Sequence, residues 1–142
     1  MEEILQLLAA DARMSAARIA EQTGRTEAEV TELIQKLEAQ GVIRGYIPVV
    51  DPAHFGIDLS AVIALRISQG KLLETQKRIA GDPHVAAVYD ITGEWDSLVV
   101  AHFRGRDELN SFLKKLTAMR YVDRSVTHLV LNTVKDERRV PV

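Results

Sequence analysis

Three short amphipathic segments fill the first part of the chain. Glu2 to Ala10 carries a broad apolar face, and Ser15 to Gln22 carries a narrower one that ends at Thr23-Gly24. Glycine tolerates the positive φ that a tight interhelical turn needs. Thr26 to Glu29 has the S/T-x-x-E form of a capping box. Apolar residues then follow at helical spacing, namely Val30, Leu33, Ile34 and Leu37. The pattern predicts three helices, the third ending near Gln40-Gly41.

A β-prone segment and a turn-rich segment follow the third helix. Val42 to Val50 is interrupted by Gly45 and Pro48, so we expect it to form a wing or a linker strand. Asp51-Pro52 through Gly56 has the composition of a domain boundary. The sequence therefore predicts a first domain over residues 1–50 and a second over residues 51–142.

The second half alternates between strand-like and helix-like patterns. Strands are predicted at Leu59 to Ile67, Val85 to Ile91, Leu98 to Phe103 and Val122 to Val134, and helices at Lys71 to Ala80 and Arg106 to Met119. The order βαββαβ is that of the ferredoxin-like fold, an antiparallel sheet with both helices on one face. The fold class is therefore α+β, with a winged-helix-like first domain and a ferredoxin-like second domain.

The last predicted strand is apolar on both faces. Val126, Val130 and Val134 alternate with Leu129 and Leu131, so the face without helices also carries apolar side chains. The simplest cover is a second copy of the same surface, because homo-oligomers most often pair identical patches about a two-fold axis. We expect at least a dimer.

Composition narrows the chemistry. A chain of 142 residues with 46% hydrophobic residues can bury a core. No apolar run approaches the roughly 20 residues that cross a bilayer, and an acidic start is unlike a signal peptide. We therefore expect a cytoplasmic protein without a membrane segment. The absence of cysteine excludes disulfides and thiolate metal sites, and the four histidines lack helical i, i+4 spacing. Neither a metal nor a cofactor is expected.

Four positions in the first domain have the spacing of a helix-turn-helix. Ala20 is small where two helices cross, Gly24 lies in the turn, and Val30 and Leu33 pack back. The alternative is an ordinary three-helix bundle with a similar turn, but the β-prone segment that follows favours a DNA-binding head. The net charge of -2 is unusual for a nucleic-acid binder. The residues up to Val50 contain five cations and eight carboxylates.

From Glu2 to about Asp136 the chain resembles the Lrp/AsnC family, also called feast/famine regulators. The resembling stretches are Ala10 to Ser15 before the second helix, Leu37 to Ile43 after the third, and Thr92 to Asp96 in the predicted hairpin. The resemblance implies a regulator that binds double-stranded DNA, senses an amino acid, and assembles as a homodimer or as an octamer of four dimers. It implies no enzymatic activity.

In that family the third helix enters the major groove. The candidate DNA-binding residues here are Arg13, Arg18, Arg25, Thr26, Glu27, Thr31, Gln35, Lys36 and Arg44. This sequence departs from the family because Glu27, Glu29 and Glu32 also lie on that face. Glu29 completes the capping box, and acidic residues favour the start of a helix. Glutamate can also accept a hydrogen bond from cytosine N4.

The hairpin turn is the candidate effector site. Its residues are Thr92, Gly93, Glu94, Trp95 and Asp96, with Thr127 on the last strand as a further candidate. Backbone amides at Gly93 can hold a carboxylate, while Asp96 or Glu94 can pair with an α-ammonium group. The alternative is a hairpin in which Gly93 relieves strain and Asp96 binds local amides.

Two other functions remain open. One is a ligand-sensing or interaction module of the same fold with weak or lost DNA binding. The other is an enzyme, since some proteins of this architecture decarboxylate modified tetrapyrroles. For that activity the sequence offers only Tyr89, His102 and His128, and no convergent set of histidine, arginine and tyrosine residues.

Overall fold

A computed structural model describes all residues from Met1 to Val142. The helices are α1 (Glu2–Ala10), α2 (Ala16–Thr23), α3 (Glu27–Ala39), α4 (Leu72–Ala80) and α5 (Arg106–Thr117), with a 3₁₀ turn at Pro52–Phe55. The strands are β1 (Leu59–Ile67), β2 (Val85–Asp90), β3 (Ser97–Phe103) and β4 (Val122–Leu129). Every predicted helix is confirmed, and no helix has the length and hydropathy needed to cross a membrane.

The chain divides into two compact units. The first comprises Met1–Val49 together with the tail Lys135–Val142, and the second comprises Val50–Val134. The tail, which the sequence analysis placed with the second domain, joins the first unit, where Gln6 Nε2 donates to the carbonyl of Val142 at 3.0 Å.

The first unit is a three-helix head around a small apolar core. Its buried residues are Ile4, Leu8, Ile19, Ala20 and Val30, with Leu33, Ile34 and Ile43 packed against them. Ser15 caps α2, and its hydroxyl accepts a hydrogen bond from the amide of Arg18. Gly24 ends α2 with a φ of 66°, so the tight turn into α3 requires the left-handed conformation that glycine adopts without strain. The predicted helix-turn-helix is confirmed.

The second unit is a four-stranded antiparallel sheet in the order β2-β3-β1-β4. Odd-numbered residues of β1 and β3 face the two helices and form the core. These core residues include Ala61, Ile63, Leu65, Val99, Ala101 and Phe103, packed against Ile79, Leu109, Phe112 and Leu116. The element order confirms the predicted ferredoxin-like fold.

Two predicted strands differ from the structure. Val42 to Val50 forms no strand, because no neighbouring strand pairs with it and Pro48 has no amide to donate. The last strand ends at Leu129 instead of Val134. The amide of Val130 still donates to the carbonyl of Ser60 at 2.9 Å, but the regular pairing with β1 stops at Leu129, which lies opposite Ala61.

The helix-free face of the sheet carries apolar side chains, as predicted, and Val126 is the predicted residue of β4 that lies on it. Leu129 pairs with Ala61 and therefore belongs to the helix side, and Val134 lies outside the strand. The helix-free face, which we call the open face, carries Val62, Ala64, Ala87, Tyr89, Leu98, Val100 and Val126, as the register shows.

Candidate functional site

One face of α3 carries a polar stripe on the side away from the core. The stripe consists of Glu27, Thr31, Glu32 and Gln35, which line a shallow surface depression together with Ala28. Val30 and Leu37 are fully buried on the opposite side of the helix. Because residues four apart lie above one another on a helix, the stripe forms one continuous surface. A helix that presents such a surface beside a helix-turn-helix turn can enter the major groove of DNA.

The polar groups of α3 are not equally available to a ligand. Glu29 Oε2 accepts the amide hydrogen of Thr26 at 2.8 Å, while Thr26 Oγ1 accepts that of Glu29 at 3.3 Å. The bond from the Thr26 amide is the main reason that the pKa of Glu29 lies below its ordinary value. The Thr31 hydroxyl donates to the carbonyl of Glu27 at 2.9 Å. The side chains of Glu27, Glu32 and Gln35 make no hydrogen bond within the chain.

The five cations between Met1 and Val49 are all exposed, and none of these five forms an ion pair. Arg13 lies before α2, Arg18 on α2 and Arg25 in the turn that follows it. Lys36 lies on α3 and Arg44 after it. The structure therefore exposes every predicted cation to solvent.

The turn between β2 and β3 is tight and open to solvent. The amide of Ile91 donates to the carbonyl of Asp96 at 3.1 Å and closes it. Gly93 has a φ of 108°, which side chains other than glycine rarely adopt. Thr92, Gly93 and Glu94 are exposed, so their amides and the Glu94 carboxylate are accessible to a small molecule.

Asp96 has a structural task that links two strands. Its amide donates to the carbonyl of Leu65 at 2.9 Å, and its Oδ2 accepts the amide hydrogen of Ile67 at 2.8 Å. These bonds join the end of β1 to the start of β3. The carboxylate therefore binds a backbone amide, but one on β1 and not the local hairpin amide that the alternative interpretation expected, and its other oxygen makes no hydrogen bond within the chain.

Sequence reasoning missed a cation beside the turn. The guanidinium carbon of Arg124 lies 5.5 Å from the ring centre of Trp95, and Arg124 pairs with Arg66 across the strands. Only the strand register brings residue 124 next to residue 95, so no local signal in the sequence marks it. Thr127 is placed differently, because it pairs with Ile63 and therefore lies on the helix side of the sheet, away from the open face.

The residues considered for an enzyme do not converge. Tyr89 pairs with Leu98 at one end of the sheet, whereas His102 pairs with Ser60 at the other end. The Nδ1 of His102 and the hydroxyl of Ser60 share a hydrogen bond of 2.7 Å. His128 pairs with Val62. No group of three or more histidine, aspartate or glutamate residues has the geometry of a metal site.

A helix-turn-helix head followed by a βαββαβ unit defines the class of two-domain DNA-binding regulators. Residues 60–140 match the model of the Lrp/AsnC ligand-binding domain, and residues 2–44 match that of the winged helix-turn-helix DNA-binding domain. The chain belongs to the Lrp/AsnC family of DNA-binding transcriptional regulators, whose members are not enzymes.

Individual relatives agree with this assignment along the whole chain. An uncharacterized HTH-type transcriptional regulator of Pyrococcus furiosus is 36% identical over 97% of this chain and 93% of its own length. The AsnC family transcriptional regulator of Agrobacterium tumefaciens superposes with a TM-score of 0.90 at 21% identity, over 99% of this chain and 94% of its own. A transcriptional regulator of Neisseria meningitidis in complex with L-Met superposes with a TM-score of 0.89 at 23% identity, over 98% of this chain and 92% of its own.

Proposed function

We propose that this regulator changes its assembly or its DNA contacts when an amino acid binds at the turn Thr92–Asp96. The observation that carries the proposal is the chemistry of that turn. An exposed Glu94 carboxylate, one unpaired oxygen of Asp96 and the Arg124 guanidinium lie at one edge of the sheet. An amino acid has one ammonium and one carboxylate, so it needs both signs of charge together. The L-Met complex of the Neisseria meningitidis regulator supports this ligand class.

An effector experiment must separate recognition from the structural task of Asp96. Asp96→Asn keeps an oxygen that can accept the Ile67 amide hydrogen but removes the charge, whereas Asp96→Ala removes both. In a thermal-shift screen of the twenty amino acids we expect stabilisation of the parent protein by at least one of them. Without an amino acid, the Asp96→Asn variant should melt at the same temperature as the parent protein. With the amino acid, it should show no stabilisation.

The matched control is Asp90→Asn, because Asp90 is an exposed carboxylate at the end of β2. This variant should respond to the effector like the parent protein. An unchanged thermal shift in Asp96→Asn would refute the assignment of the effector to this turn.

We further propose that the polar stripe of α3 reads base edges while the surrounding cations bind phosphates. Glu27 and Glu32 can accept from cytosine N4, and Gln35 can bind adenine with two hydrogen bonds. Arg13, Arg18, Arg25, Lys36 and Arg44 are the phosphate contacts, and Thr26 and Thr31 lie beside them on α3 and its cap. These five cations per chain give modest affinity, but several linked chains can raise avidity about 10²- to 10⁴-fold.

Anisotropy titration on the region upstream of the regulator's own gene tests this interface. Binding must weaken steeply with salt, and Lys36→Gln should lower affinity on every sequence and reduce the salt slope by about 1. Glu32→Gln should change the preferred bases at one position. Glu21→Gln, on an exposed position of α2, should change neither. If no DNA binds at any salt concentration, the chain is instead the ligand-sensing module without DNA affinity.

The open face supports a homodimer as the assembly unit. Val62, Leu98, Val100 and Val126 form an apolar surface on it, and the two helices of the second unit pack on the opposite face of the sheet. A two-fold axis through the face would bury it against a second copy. The octamer of four dimers follows from the family resemblance alone. Binding to chromosomal DNA supports the predicted cytoplasmic location.

A further inference from the structure

A groove of about 700 Å³ lies on the helix side of the second unit, between the ends of α4 and α5. Sites for small molecules have volumes of about 300 to 1,000 Å³. The groove is formed by the last turns of both helices, the loop after α4 and the residues after α5. The turn Thr92–Asp96 does not contribute to it, so neither the effector nor the dimer proposed above accounts for it.

The floor of the groove is apolar. Ile79 and Leu116 are 1% exposed and Phe112 is 5% exposed, yet all three line the groove together with the half-buried Met119. Phe112 also packs against Phe103, with ring centres 5.3 Å apart, which holds the floor rigid from below. The floor therefore fits an apolar ring or a short aliphatic chain.

The rim of the groove carries an excess of positive charge. Arg78 on α4, Lys115 on α5 and Arg120 after α5 all line it, and none of them has an ion-pair partner. The guanidinium carbon of Arg120 lies 5.6 Å from the ring centre of Tyr121. Asp82 is the groove's single carboxylate, and the amide and Nδ1 of His84 already bind it at 2.9 and 2.8 Å. The open charge of the groove fits an anion.

Helix dipoles do not account for the whole arrangement. Cations in the last turn of a helix interact favourably with its exposed carbonyls, and this applies to Arg78 and Lys115. It applies equally to Lys77 and Lys114, which lie in the same turns but do not line the groove. The helix dipoles explain why both helices end in basic residues. They do not explain why three cations without ion-pair partners surround an apolar floor.

We propose that this groove binds a small organic monocarboxylate. The carboxylate of the ligand lies among Arg78, Lys115 and Arg120, and its apolar body rests on Met119 and the accessible part of Phe112. Charge complementarity at the rim selects the anion, and the floor selects a molecule with a hydrophobic part. Occupation of this groove is independent of an effector bound at the hairpin turn.

Titration of the ¹⁵N-labelled full-length protein with phenylacetate tests the proposal. We expect shifts confined to amides at the ends of α4 and α5. Phenylacetamide lacks the charge and acetate lacks the ring, so each should bind about tenfold more weakly, the loss of one charge-assisted interaction or of one buried ring. Equal binding of phenylacetate and phenylacetamide, or of phenylacetate and acetate, would overturn the proposal.

Neighbouring lysines and arginines provide matched variants. Lys115→Gln and Arg78→Gln should each weaken phenylacetate binding about fivefold or more, within the range of a hydrogen bond to a charged group. Lys114→Gln and Lys77→Gln, which change the same helix turns outside the groove, should bind like the parent protein, and so should Asp96→Asn. Three results would each contradict the assignment. The first is equal weakening of phenylacetate binding by Lys114→Gln, and the second is amide shifts at the hairpin turn. The third is a change of the groove amides with protein concentration in the absence of phenylacetate. The last result would mean that a second copy fills the groove.

Discussion

Asp82 illustrates how local hydrogen bonds hold a partly buried carboxylate in its charged form. Burial raises its pKa, but the backbone amide and the imidazole of His84 donate to it and, together with the nearby charge of Lys115, bring the pKa below the ordinary value of 3.8. The same imidazole lies 3.4 Å from Glu108 and stacks on Phe103. Asp82 and His84 thus connect the loop after α4 to α5 and to the core.

Replacing Asp82 by asparagine should therefore change the pH dependence of stability. A carboxylate whose pKa is lowered by folding stabilises the protein above its unfolded pKa of about 3.8, and this contribution is lost as pH falls through the lower folded value. We expect Asp82→Asn to lower the free energy of unfolding by about 1 kcal/mol at pH 7. Urea denaturation at pH 7 and again below the folded pKa measures the difference, which should disappear in acid.

Asp58→Asn is the control for this effect, since Asp58 is exposed and makes no hydrogen bond. It should leave stability unchanged at both pH values. A loss in Asp82→Asn that is the same in acid as at pH 7 would show that its charge contributes nothing.

At the scale of elements, the turn between α2 and α3 depends on one backbone conformation. Gly24 has a φ of 66°, whereas Gly81, which ends α4, has a φ of -75°. A Cβ at residue 24 would meet no atom within 4 Å, so the cost of an alanine there is conformational only. We expect Gly24→Ala to destabilise the first unit by about 1 kcal/mol in thermal or urea unfolding.

Gly81→Ala provides the contrast. Its Cβ would lie 3.4 Å from the carbonyl oxygen of Arg78, an ordinary contact, in a conformation that alanine adopts freely. This variant should be neutral or slightly stabilising. If both alanine variants lost the same stability, the left-handed turn would not be what sets the angle between α2 and α3.

At the scale of the whole molecule, the open face should decide the oligomeric state. Val126 lies on this face opposite Ala64 and is 37% exposed in the single chain. Val126→Asp places a charge in the proposed interface, once from each copy, and a buried unpaired charge is costly. We expect the dimer dissociation constant to rise at least about a hundredfold. Analytical ultracentrifugation at micromolar concentration measures it.

Leu73→Asp is the matched control for the open face. Leu73 is a large apolar residue, 64% exposed, on α4, so its replacement changes hydropathy by a similar amount away from the sheet. The variant should remain dimeric. A parent protein that sediments as a monomer would refute the homodimer, and with it the octamer.

Local patterns determined the secondary structure and the order of the elements. The capping box at Thr26 and Glu29, the glycine turn at Gly24 and the period of the apolar residues each depend on neighbours within a few positions, so the sequence displays them directly. The resemblance to a known family then supplied the expected DNA and effector residues, whose individual roles stay predictions.

Only the tertiary structure decided which distant residues meet. β4 ends at Leu129, where its regular pairing with β1 stops, and Val42 to Val50 forms no strand because no other strand pairs with it. The bond from the Ile67 amide to Asp96 and the approach of Arg124 to Trp95 follow from strand register. Such contacts join residues far apart in the chain, and hydrogen-bond pairing between strands leaves no periodic mark in the sequence of either strand.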